Sequence, residues 1–132
     1  MNLLLLILAA FAVFFIARTL WLARPEIQPA ALRAALKAGT AVLIDVREPA
    51  EWAAGVAKQA ALLPLSDLHG SRTHWRAFLG KHRGRQLLVY CRSGSRSAQA
   101  AARLRREGYD ALNAGSLAAL DRAGIPVCRR RA

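Results

Sequence analysis

The sequence predicts an α/β fold, a parallel sheet flanked by helices and preceded by one transmembrane helix. Three observations carry that reading. Two short runs, AVLIDV (41–46) and QLLVYC (86–91), are mainly apolar, as strands are when helices cover both faces of a sheet. Around them lie segments with apolar residues at helical spacing, so strand and helix alternate along the chain. Finally, residues 3–17, LLLLILAAFAVFFIA, form an uncharged apolar run near the N-terminus.

As a helix those fifteen residues cover only about 22 Å, short of the roughly 30 Å hydrocarbon core. Arg18 interrupts, but TLWLA continues the pattern to Ala23. An arginine near a helix end can snorkel to the head groups, and Trp21 suits the interface. Residues 1–23 therefore read as a single membrane anchor. The alternative is export through a cleaved signal peptide. Only Met-Asn precedes the run, however, where a positive segment is wanted, and a cut after Ala23 has Trp21 at a position that wants a small residue and Pro25 close behind. No Lys or Arg precedes the span, whereas Arg18, Arg24, Arg33 and Lys37 follow it. The expectation is a single-pass protein of the inner (cytoplasmic) membrane with its domain in the cytoplasm, where a reducing environment keeps Cys91 free.

Residues 24–28 read as a linker and 29–132 as one domain. AALRAALKAG (30–39) has helical spacing and stops at Gly39, and AVLIDV is a buried strand. EPAEWAAG follows, with Glu48 near the N-cap, Pro49 at the first helical position and Gly55 as the stop. AALLPL (60–65) is a brief apolar segment. SRTHWRAFLGKH (71–82) places Trp75, Phe78 and Leu79 on one helical face. QLLVYC is the clearest strand and RSAQAAARLRREG (96–108) the clearest helix. YDALN (109–113) is strand-like, SLAALDRAG (116–124) helical, and IPVC (125–128) closes the fold.

About 108 residues beyond the anchor suffice for one hydrophobic core. Lys and Arg number 20 against 8 acids, a formal charge of +12, which favours anionic partners. Nucleic acid is not expected among them. The cations are scattered (Arg33, Lys58, Arg76, Arg103, Arg122), no nucleic-acid signature accompanies them, and the closing CRRRA reads as a solvated tail. Cys91 and Cys128 lack metal-ligand spacing and disulfide-scaffold density, and His69, His74 and His82 read as surface residues, so no metal is expected.

Cys91 stands where QLLVYC ends and a helix begins, at the carboxyl end of a strand, where open α/β sheets bind ligands. The loop Arg92, Ser93, Gly94, Ser95, Arg96 contains a glycine for unusual backbone angles. Its successive N–H groups can converge as an anion nest, with a helix N-terminus behind them. Two arginines add positive charge, so the thiolate is favoured over the thiol. An inert core cysteine accounts for the strand but not for this loop. Spacing separates two chemistries. Cysteine phosphatases and arsenate reductases of related design use C-x5-R, wide enough for a tetrahedral oxyanion; here the pattern is C-x4-R, a tighter ring suited to one sulfur atom carried on the cysteine.

VLIDVREPAEWAAG, LPL (63–65) and VYCRSGSRSAQAAARLRREGYDALNAGS resemble the single-domain rhodaneses, or thiosulfate sulfurtransferases, over roughly residues 27–128. The resemblance implies a five-stranded parallel sheet, a persulfide on Cys91, and a cradle of residues 92–96 for it. It implies transfer of sulfane sulfur from thiosulfate or a related small anionic donor to a thiol, small or protein-borne, or to cyanide, without metal or organic cofactor. Asp45 and Arg47 share a strand face and read as an ion pair bracing the site, with direct substrate contact as the alternative. Glu51, three residues after Glu48, serves the helix start. Three departures from the family pattern bear on substrate access and docking: Val56 where a histidine is usual, Gln59 for a glycine, and Ser116 for the second of a glycine pair. Cys128 reads as a resolving thiol or an incidental one. The competing function is a catalytically silent docking module at the membrane, against which the intact loop argues.

Overall fold

The computed structural model describes residues 2–129; Arg130, Arg131 and Ala132, the end of the tail read as solvated, lie outside them. Helix α1, Leu3–Leu22, is exposed along its whole length, with Asn2 as its N-cap. It is long and apolar enough to cross a membrane. The domain then runs α2 (Pro29–Ala38), β1 (Ala41–Asp45), α3 (Pro49–Trp52), β2 (Val56–Ala57), β3 (Ala61–Leu62), α4 (Leu65–His69), α5 (Thr73–Lys81), β4 (Gln86–Cys91), α6 (Ser95–Arg106), β5 (Ala111–Ser116), α7 (Leu117–Arg122) and β6 (Val127–Cys128).

Four strands pair in parallel in the order β3-β1-β4-β5. The apolar character of β1 and β4 has the physical cause the sequence implies. Along β4, Leu87, Val89 and Cys91 enter one core with Trp75, Leu68, Ala100, Ala101 and Leu104. Leu88 and Tyr90 enter the opposite core with Leu32, Leu43 and Leu120. Helices α4, α5 and α6 cover the first face, α2 and α7 the second, and alternate side chains of one strand are buried on both sides.

The fifth parallel strand implied by the resemblance is absent among the described residues. IPVC instead ends in the two residues of β6, which pair antiparallel with β2 in a separate ribbon. Pro126 has no N–H to give a ladder, and its carbonyl accepts from the Lys58 N–H at 2.8 Å. Helix α4 follows directly on the apolar segment 60–65, starting at its last residue, and α3 is a single turn that ends at Trp52, short of Gly55. Strand β5 starts two residues later than YDALN and runs to Ser116. It carries an irregularity opposite Val89 and Tyr90: Asn113 pairs with Val89 and Gly115 with Tyr90, leaving Ala114 as an extra residue. Such a bulge re-aims the side chains on either side of it.

Candidate active site

Cys91 is the last residue of β4 and is 0 % exposed. The chain turns at once into α6, and the turn requires Gly94, which has φ +91°. That conformation aims backbone donors at the sulfur. The Gly94 N–H lies 3.1 Å from Sγ, the Ser97 N–H 3.4 Å and the Ser97 hydroxyl 3.3 Å. Burial pushes the Cys91 thiol up, but the bonds from the Ser97 hydroxyl and from the amides of Ser97, Ser93 and Gly94 outweigh it and hold the pKa below the ordinary thiol value.

The two loop arginines occupy different positions. Arg92 is exposed at the rim with Ser93 and makes no side-chain hydrogen bond or ion pair among the described residues. Arg96 is engaged: its Nη1 and Nη2 donate to the two carboxylate oxygens of Glu51 at 2.7 and 2.8 Å. Glu51 also accepts the Glu48 N–H at 2.9 Å, completing the capping box of α3. The Arg96 guanidinium, with these bonds, draws the Glu51 carboxyl down to about 2. Ser95 lies half-buried at the first position of α6.

Asp45 and Arg47 form a buried ion pair at 2.8 Å. Arg47 also donates to the carbonyls of Gly55 and Glu51 at 2.7 and 3.2 Å. Asp45 accepts the Tyr90 hydroxyl at 2.7 Å, and that hydroxyl accepts the Ala57 N–H at 2.9 Å. The pair thus ties β1, the turn after α3, and β2 to β4, the geometry of a brace. Burial, together with neighbouring Asp45, holds the Tyr90 phenol above its usual range.

Two site residues escape sequence reasoning. Ser97 is 0 % exposed and lies in the first turn of a helix whose small residues read as ordinary helix formers. Asn113 is 0 % exposed too, and its Oδ1 accepts from Ser97 Oγ at 2.7 Å. An asparagine inside an apolar strand pattern is the signal that could have found it, since a buried amide must be satisfied by partners nearby. Cys128 is a free thiol exposed on β6, whereas Cys91 is free and buried.

The three departures have visible settings. Val56 is buried and pairs with Cys128. Gln59 keeps a glycine-like φ of +66°. Ser116 is the N-cap of α7, its Oγ accepting the Ala119 N–H at 3.1 Å.

A family model described as a rhodanese-like domain matches residues 28–119. A sulfurtransferase of Allochromatium vinosum is 36% identical over 88 residues, 65% of this chain and 77% of that protein. An uncharacterized protein of Synechocystis is 32% identical over 107 residues, 80% of this chain but only 56% of the relative, so the match spans little more than half of it. The crystal structure of a rhodanese-related protein from Thermoplasma volcanium superposes with a TM-score of 0.65 at 28% identity, covering 81% of this chain and 100% of that one.

Proposed function

The chain belongs to the rhodanese-like domain family, and on that premise we propose that it is a thiosulfate sulfurtransferase working through a Cys91 persulfide. One observation carries the reading: a buried thiol with two backbone amides and a hydroxyl converging on its sulfur, at the N-terminus of a helix. A docking domain has no use for such an arrangement.

In the first half-reaction the Cys91 thiolate attacks the sulfane sulfur of thiosulfate. The new S–S bond forms as the sulfur–sulfite bond breaks, sulfite leaves with the electron pair, and the negative charge passes to the outer sulfur of the persulfide. The rim guanidinium of Arg92 attracts the dianionic donor. Loop amides stabilise the charge that remains near Cys91, and Arg96, held by Glu51, fixes the far end of the loop. In the second half-reaction an acceptor thiolate, or cyanide, attacks the outer sulfur and returns the Cys91 thiolate. The apolar helix α1 supports a membrane-anchored enzyme, and the cations that follow it support a domain on the cytoplasmic side.

The test is intact mass after thiosulfate treatment of the reduced, folded protein. One added sulfur, about 32 Da, is expected on wild type and on Cys128→Ser but not on Cys91→Ser. An added sulfur that follows Cys128, or never forms, overturns the enzyme reading and leaves the docking module.

A further inference from the structure

The segment that leaves α1 is laid against the back of the cysteine loop. A Cβ on Gly94 would overlap the carbonyl oxygen of Ala23, and one on Gly115 would come within 2.7 Å of Pro25 Cγ. Both glycines also have positive φ, +91° and +93°, so conformation and close approach impose the same residue.

One side chain joins these pieces. The Asn113 Nδ2 group donates to Gly94 O at 3.0 Å and to Ala23 O and Arg24 O at 3.3 Å each, two protons shared by three carbonyls. Its Oδ1 accepts the Gly115 N–H at 3.0 Å and faces Ser97 Oγ at 2.7 Å. Glu26 closes the arrangement from outside: its Oε1 accepts from the Asn113 N–H at 2.9 Å and from Arg105 at 3.1 Å, and its own N–H donates to the Asn113 carbonyl at 2.7 Å.

We propose that Asn113 is a positioning residue of the sulfur-transfer site, locking the Cys91 loop and the Ser97 hydroxyl in place through the backbone of the segment that leaves the anchor helix. This rests on the sulfurtransferase reading of Cys91. The Ser97 hydroxyl has one proton and competing acceptors, Asn113 Oδ1 at 2.7 Å, Cys91 Sγ at 3.3 Å and Gly115 O at 3.4 Å. While Cys91 is a neutral thiol, the shorter bond holds that proton on Asn113. Once the thiolate forms, a charge-assisted bond turns the hydroxyl toward sulfur. Asn113 Oδ1 is not orphaned by the turn, because the Gly115 N–H still fills it. The thiolate therefore gains a third donor with no buried group left unpaired.

A carboxylate at position 113 undoes both halves of this. It loses the donors to Gly94, Ala23 and Arg24, and its charge keeps the Ser97 proton from the sulfur. The other charged groups around the site, Arg96 with Glu51 and Arg105 with Glu26, are unchanged by the substitution.

The experiment uses the full chain in nanodiscs with Cys128→Ser as the background. It follows thiolate ultraviolet absorbance of Cys91 against pH, and sulfur loading from thiosulfate by intact mass. Asn113→Asp is expected to raise the Cys91 midpoint by about one pH unit and to slow loading at neutral pH about tenfold, with the rate recovered at higher pH. Recovery with pH separates a displaced thiolate equilibrium from a damaged pocket. Glu26→Ala, which removes the carboxylate bonded to the Asn113 N–H and Arg105 but none of the groups that donate to Cys91, is expected to raise the midpoint by a smaller amount, and it decides the matter should Asn113→Asp fail to fold. A folded Asn113→Asp with the wild-type midpoint overturns the proposal. A shifted midpoint in a protein whose wild type never takes up sulfur overturns the sulfurtransferase reading and leaves the positioning role standing.

Discussion

At the scale of single residues, the two arginines of the loop look alike in sequence and have different surroundings in the fold. Arg92 is an exposed cation at the rim, while Arg96 is a half-buried clamp whose partner, Glu51, comes from a different helix. A bidentate arginine–carboxylate pair is directional and holds its geometry, so Arg96 anchors the first turn of α6 to α3. The Glu51 carboxyl is lowered from 4.5 to about 2, chiefly by the Arg96 hydrogen bond. A depressed carboxylate contributes stability that is present above its unfolded pKa and lost as pH falls through the folded one. Glu51→Gln should therefore destabilise the domain by about 1 kcal/mol at neutral pH. The deficit against wild type should shrink below pH 4.5 and vanish near pH 2. Urea unfolding across that range measures it, and a deficit independent of pH would assign the effect to packing instead.

At the scale of elements, legibility followed length and burial. Strands β1 and β4 were readable because four or five consecutive apolar residues, 41–44 and 87–91, mean burial on two faces. Helix α6 was readable because its apolar face repeats over three turns. The two-residue strands β2, β3 and β6 are too short to show any period, and α4 is one turn set by Pro64. The strand-to-helix turn exposed Cys91 and its loop to sequence reasoning, since everything there is contiguous. Ser97 and Asn113 were hidden because their pairing spans 16 residues and depends on a bulge no pattern encodes. The turn between β2 and β3 shows what a departure from family pattern does to an element. Gln59 sits at φ +66° and is exposed, so the backbone kept the left-handed turn although the residue changed. A side chain there is strained by about 1–2 kcal/mol, partly offset because glycine loses more chain entropy on folding. Gln59→Gly should raise the melting temperature by about 2–4 °C, a net gain of about 0.5 kcal/mol. An unchanged or lower melting temperature would mean that the Gln59 side chain contributes contacts that outweigh the strain.

At the scale of the whole molecule, the exit of helix α1 and the site are one unit. Arg24 stacks on Trp21 at 4.3 Å, fixing the exit of α1, and the next residues are already bonded to the loop behind Cys91. A flexible linker over residues 24–28 would let the domain move freely; here Ala23, Arg24 and Glu26 are all hydrogen-bonded to Asn113. This bears on whether the N-terminal helix is kept or removed. Cleavage after Ala23 would remove one of the carbonyls that Asn113 Nδ2 donates to and leave a charged amine on Arg24 beside a buried amide, an unfavourable exchange. We propose on this ground that the chain stays uncleaved, the reading that the residues around Trp21 and Pro25 also support. Cell fractionation should recover the protein from membranes after carbonate extraction, with an intact mass that includes residues 1–23, and a reporter fused after Ala132 should be active only in the cytoplasm. A soluble form beginning at Arg24 would remove the anchor from the enzyme. It would also put the Ala23 bond out of use, so the Cys91 midpoint of that form, compared with the full chain, would show how far the loop depends on the segment before it.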